Sequence, residues 1–214
     1  MLKKILLGVA VALVALCGVI ATRPATFTVQ RTATLKASPD IAFALVNDFQ
    51  QWGEWSPWDK MDPNQKRTFE GAATGVGAIY GWSGNDQVGE GRMTIEESKV
   101  NELVRIKLEF IKPFATTNST TFTFSPVAEG TSVTWKMEGQ NDFMGKAFSL
   151  FMDMDAMVGK DFDNGLATLG KVAEAEALKR AEAEAARLAA EAAAPAAPVE
   201  GQPATGQTVT APTP

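Results

Sequence analysis

The chain has 214 residues, 45% hydrophobic and 21% charged, with a net charge of −5, which is the mix of one globular domain with additions. The acidic balance argues against nucleic acid as a partner, because that partner demands a basic face. With no histidine and a single cysteine, the sequence excludes a Ser-His-Asp or Cys-His nucleophile system, a His-ligated metal site and an intrachain disulfide, and neither a metal nor a cofactor is expected.

Lys3 and Lys4 precede residues 5–21, which carry no charge, and Arg23 and Pro24 end the run. Two readings stay open for residues 1–24. One is a short membrane anchor; the other is the apolar core of a signal peptide, cut after Ala21. Leu16 stands where a lipoprotein site at Cys17 wants a small residue. In both readings the lysines keep the N-terminus in the cytoplasm. The domain then lies outside the inner membrane, single-pass if anchored and periplasmic or secreted if cleaved.

Residues 25–176 are expected to form the folded domain. Residues 27–35 alternate, with Phe27, Val29, Ala33 and Leu35 on one face, and read as the first strand. Arg31 falls on that apolar face and is expected to snorkel from near a strand end. Ser38-Pro39-Asp40 starts a short helix, with an N-cap, a proline at N1 and an acid in the first turn. Next come Trp52, Trp55 and Trp58, three indoles in seven residues. They read either as a plug sealing one end of the core or as an aromatic rim at a cavity mouth.

Six further strands follow between residues 66 and 140, separated by turns rich in glycine, asparagine and aspartate. Phe69 is expected to face inward. Residues 71–77 are a turn and not a phosphate loop, since no Lys-Ser/Thr follows. Gly89 and Gly91 share the inward parity of Met93 and Ile95, which predicts sharp curvature or a close backbone approach. Val104, Ile106, Leu108 and Phe110 point inward, as do Phe122 and Phe124, and Val133, Trp135 and Met137. The pattern then switches to one long helix from near Phe143. Its stripe runs Phe143, Ala147, Leu150, Phe151, Met154, Val158, Phe162, Leu166 and Leu169. Gly165 sits in the stripe and is expected to touch the glycine-bearing strand. Residues 177–194 are an Ala/Glu/Arg-rich helical extension without an apolar stripe. Residues 195–214 have the composition of a disordered Pro/Ala/Thr tail, whose protein partner, if any, the sequence does not name.

The fold class expected is therefore α+β: a curved antiparallel sheet wrapped around a long C-terminal helix, with an N-terminal transmembrane helix. A greasy sheet face must be covered, and a sheet curved around one helix encloses a pocket. The expected lining is Met93, Ile106, Phe110, Phe122, Trp135, Met137, Phe151 and Met154. The expected mouth or rim is Trp52, Trp55, Trp58, Asp155 and Asp161.

Several stretches carry a family resemblance: Trp55-Ser56-Pro57-Trp58, the run GVGAIYGWSGNDQVGEGRMTI at 75–95, Thr131-Ser132-Val133-Thr134-Trp135 and Met137-Glu138-Gly139. Across residues 27–176 the chain resembles the START-like, helix-grip superfamily, and in it the bacterial membrane-anchored polyketide cyclase/dehydrase-type (SRPBCC) group. The resemblance implies a helix-grip fold and a hydrophobic small molecule or lipid as partner. It brings no single catalytic motif, and the cyclases of that superfamily use cavity His, Asp, Arg or Tyr. Three functions are weighed: a membrane-anchored extracytoplasmic binding domain, an acid/base enzyme using Tyr80, Glu90, Arg92 or Asp155, and an interaction protein with a filled core. Without a histidine or a catalytic motif, binding leads. By parity Glu90 and Arg92 face outward unless a bulge flips the register.

Overall fold

The computed structural model describes residues 1–193; the expected tail at 195–214 lies outside the described residues. Helix α1 (Leu2–Ala21) precedes strand β1 (Thr26–Leu35) and helix α2 (Pro39–Asn47). A single helical turn, α3 (Trp52–Trp55), follows. Six strands come next: β2 (Lys66–Gly71), β3 (Ala78–Ser83), β4 (Glu90–Lys99), β5 (Leu103–Lys112), β6 (Thr116–Val127) and β7 (Gly130–Gln140). Helices α4 (Phe143–Phe148) and α5 (Met154–Ala193) complete the described residues.

The seven strands form one antiparallel sheet in the order β1-β7-β6-β5-β4-β3-β2. Alternation places every second side chain on the face that α2, α3 and α5 cover. Val29 and Leu35, Ile95, Val104 and Ile106, Phe122 and Phe124, Val133 and Trp135 make that buried face. The α+β class, the curved sheet, the long C-terminal helix and the apolar N-terminal helix are all as the sequence predicts. Gly91 shows why glycine stands on the inner face of β4: a Cβ there would lie 2.4 Å from the Trp82 indole, which crosses directly over it.

Three local expectations need correction. The long helix is not continuous from Phe143. Asp142 caps α4, its Oδ1 accepting the Gly145 N–H at 2.7 Å, and Asp153 caps α5, accepting the N–H groups of Asp155 and Ala156 at 2.9 and 3.1 Å. Each carboxylate satisfies amides that an uninterrupted helix would bond to carbonyls, so residues 149–153 break the rod. Second, Gly165 does not meet the glycine-bearing strand. Its missing Cβ would sit 2.8 Å from the Trp135 ring and 3.2 Å from Pro57. Third, Phe69 is half-exposed because β2 is the edge of the sheet, although its ring still lies 5.4 Å from that of Tyr80.

Candidate functional site

The concave face divides into a filled end and an open end. At the filled end Trp135 stacks flat on Phe162 of α5, with ring centroids 4.0 Å apart. Trp55 and Phe122 crowd the same ring at 5.7 and 4.7 Å. Trp52 and Trp55 are buried, and each indole N–H finds a carbonyl: Trp52 donates to Val46 at 2.9 Å and Trp55 to Leu45 at 3.1 Å. Two satisfied indoles thus fill the space between α2 and the sheet. Trp58 is half-buried against Trp135 and Phe162. Along Phe162, Leu166, Leu169 and Ala173 the expected room between the last helix and the sheet is taken up by the protein's own side chains.

Beside this plug lies a buried carboxylate. Asp59 accepts a hydrogen bond from the Tyr80 hydroxyl at 3.0 Å and from Gln65 Nε2 at 2.6 Å, and Arg67 Nε lies 3.5 Å away. Burial, followed by the Asp59 charge, pushes the Tyr80 phenol well above its ordinary range. Tyr80 is therefore a neutral hydrogen-bond donor at any physiological pH. The cluster packs under Phe49 and Phe69, whose rings lie 5.9 and 5.4 Å from that of Tyr80.

The open end lies where β1 and β6 start and β5 and β7 finish. Phe27, Trp82, Leu108 and Phe110 are only partly buried there, with Met93 and Met137 beneath them. Asn118 and Thr120 share the inward parity of Phe122 and are 94% and 97% buried. Yet Asn118 Oδ1 and Thr120 Oγ1 have no hydrogen-bond partner, and neither does Trp135 Nε1. Buried polar atoms are nearly always paired, so three orphans on one face are unusual. The register sets Thr120 beside Met137 and Asn118 beside Gly139.

The predicted site residues thus separate into three groups. Met93, Ile106, Phe122, Trp135 and Met137 are buried on the concave face and Phe110 is half-buried at its open end. Phe151 and Met154 are not among them: both are exposed, because the break before α5 turns that part of the stripe away from the sheet. Asp155 is an ion-pair partner. Arg31 Nη1 meets Asp155 Oδ1 at 2.8 Å and Arg31 Nε meets Asp163 Oδ2 at 3.2 Å. The guanidinium lies against Gly159, where any side chain would collide with it. Arg31 therefore does not simply snorkel; it ties β1 to α5. The hydrogen bond from Arg31 holds the Asp155 carboxyl below its usual range, whereas desolvation raises that of Asp161, half-buried on α5. Glu90 and Arg92 face outward, paired with Lys112 at 2.7 Å and Glu109 at 2.9 Å, despite a register shift at Glu90/Gly91.

Asn118 and Thr120 are absent from the sequence-based lining, although their parity with Phe122 and Phe124 was readable. Asp59 comes from a single 3-10 turn (Trp58–Lys60), and no periodicity could place it beside Tyr80. A surface pocket of about 110 Å³ lies beside the Tyr80 cluster, lined by Phe49, Gln50, Phe69 and Glu70 among others. It is too small for a ligand of ordinary size.

A sequence profile of the family described as polyketide cyclase / dehydrase and lipid transport matches residues 26–174. No curated protein matches the chain. Among solved structures, the fold is similar to that of a Chromobacterium violaceum protein at 16% identity and a TM-score of 0.52, covering 69% of this chain and 96% of that one. A Staphylococcus aureus protein of unknown function is similar at 14% identity and a TM-score of 0.53, with 73% and 98% covered. The di-domain ARO/CYC StfQ from the steffimycin biosynthetic pathway is similar at 11% identity and a TM-score of 0.52, with 71% of this chain and 52% of that one covered. At these identities the likeness is one of fold.

Proposed function

We propose, given that this chain belongs to the polyketide cyclase / dehydrase and lipid transport family, that it is a binding domain for a lipid or other largely apolar small molecule, held outside the cytoplasm by α1. The observation that carries this reading is the pair of buried, unpartnered oxygens on Asn118 and Thr120 at the open end of an otherwise apolar face. An unpaired buried polar group costs about 1–3 kcal/mol, and a polar group on a guest that displaces the side chains covering these oxygens would recover that cost. The apolar part of the guest would cover Phe27, Leu108, Phe110 and Met137, gaining about 25 cal/mol per Å² removed from water. On this reading the guest binds beyond the plug, and not under α5 where the interior is filled.

Anchoring draws its support from α1, which has 20 residues, a mean hydropathy of 2.6 in its most apolar window and almost no buried surface. Native mass spectrometry of the full chain, extracted from membranes in detergent, tests the binding reading. A retained apolar molecule at near-unit stoichiometry is expected. Bare protein, with no uptake of a fluorescent fatty acid, leaves the interaction protein with a filled core as the better description.

One observation favours acid/base catalysis as a second reading: Asp59 is buried beside Tyr80 and Arg67. A neutral tyrosine whose hydroxyl turned from Asp59 to a substrate carbonyl could act as a general acid. If this reading holds, Tyr80→Phe retains a different molecule from the parent chain, substrate in place of product. The same retained mass in both rules it out.

A further inference from the structure

Around the break between α4 and α5 the chain presents large apolar side chains to solvent. Phe143, Met144, Phe148, Phe151 and Met152 are all exposed, Phe151 at 85%. Phe114, at the β5–β6 tip, is 69% exposed and its ring lies 6.2 Å from that of Phe148. A contiguous surface of this kind marks an interaction site.

What covers it follows from where α1 ends. Ile20, in the last turn of α1, is the only buried residue of that helix, and α1 packs against α4. Arg23 Nη2 donates to the Ser149 carbonyl at 3.0 Å, and Asn141 N–H donates to the Ala25 carbonyl at 2.8 Å. The chain leaving α1 is therefore tied to both ends of α4. Twenty helical residues span about 30 Å, the thickness of a bilayer's hydrocarbon core. A spanning α1 thus delivers α4 to the membrane surface, with its apolar side chains continuous with the lipid-facing surface of α1.

We propose that α4, residues 149–153 and the β5–β6 tip form a second membrane contact, seated in the outer surface of the bilayer that α1 crosses. This rests on the reading of α1 as a retained anchor. The open end of the concave face, with Phe27, Phe110 and Asn118, lies at the same end of the sheet as Phe114. An apolar guest would then pass between the leaflet and the face without crossing water.

The test uses the full chain with Cys17→Ala, which removes its only cysteine. Single cysteines are introduced as Phe148→Cys, Phe151→Cys, Val9→Cys within α1, and Val100→Cys at the opposite end of the sheet. Each is labelled with an environment-sensitive fluorophore and reconstituted at low protein density into phosphatidylcholine vesicles carrying nitroxide-labelled acyl chains. Positions 148, 151 and 9 are expected to be quenched at least twofold more than position 100. If position 9 is quenched while 148 and 151 match position 100, the second contact is refuted and the anchor stands. If position 9 is also unquenched, the anchor reading itself fails and takes this inference with it. A water-shielded emission at 148 and 151 that comes without nitroxide quenching, and is lost when protein is diluted at a fixed fraction of nitroxide lipid, assigns the patch to a second copy of the chain and overturns the proposal.

Discussion

Replacing two glycines on α5 by alanine should have opposite effects, and the contrast tests whether the interior beneath that helix is filled. Either change gains about 1 kcal/mol of helix propensity, because alanine loses less backbone freedom than glycine on folding. At Gly170 the added methyl meets only Leu35 Cγ at 3.7 Å, an ordinary contact. Gly170→Ala should therefore stabilise the protein by about 0.5–1 kcal/mol. At Gly165 the methyl would lie 2.8 Å from the Trp135 ring and 3.2 Å from Pro57 Cδ. That ring is held by Phe162, Trp55 and Phe122 and has nowhere to go. Overpacking of this kind costs about 1–3 kcal/mol, which leaves Gly165→Ala neutral to about 2 kcal/mol destabilised. The two variants should differ by about 1–3 kcal/mol, or several degrees in Tm for a domain of this size. Urea unfolding of the full chain in detergent micelles, followed by tryptophan fluorescence, reads the difference. Equal stabilisation by both changes would show that Trp135 has room to move and that the helix does not close on the sheet.

Three further outcomes are expected. Asn118→Leu with Thr120→Val should leave the ligand-free protein as stable or about 1 kcal/mol more stable, since the unpaired atoms are gone; retention of a co-purifying guest should fall about tenfold, measured by quantitative native mass spectrometry. Tyr80→Phe removes a donor from buried Asp59 and should cost about 1–3 kcal/mol in urea unfolding. Asp155 has its carboxyl held low by Arg31, so its contribution is present above the ordinary aspartate value of about 3.9 and is lost as pH falls through the depressed folded value. Asp155→Asn should therefore lower stability at neutral pH and change little at the acid end, so that the acid side of the curve is shallower, as thermal melts across pH 2–7 would show.

The strands were legible because each carries one apolar parity, and the parity of Val133, Trp135 and Met137 needs no tertiary information. The end of the helical stripe was not. Phe151 and Met154 keep the phase of Phe162 and Leu166, so periodicity alone runs the core through them. The break depends on Asp153 bonding two amides, a choice between cap and continuation that packing decides. The plug was legible as one of two options, and burial of Trp52 and Trp55 selects it. Asn118 and Thr120 are hidden in the sequence for a different reason. Polar residues on an inward parity resemble a strand end, and only their burial without partners marks them. The Asp59–Tyr80–Arg67 cluster joins residues from a 3-10 turn and two strands, and no local pattern encodes that meeting.

The most direct measurement is a difference map of the open end: hydrogen–deuterium exchange and native mass on the full chain before and after delipidation with a hydrophobic resin. A guest seated on the concave face predicts loss of one bound mass together with faster exchange in β5, β6 and the end of β7, leaving α2 and α5 beyond Phe162 unchanged. No lost mass and an unaltered exchange pattern would contradict a ligand at Asn118 and Thr120.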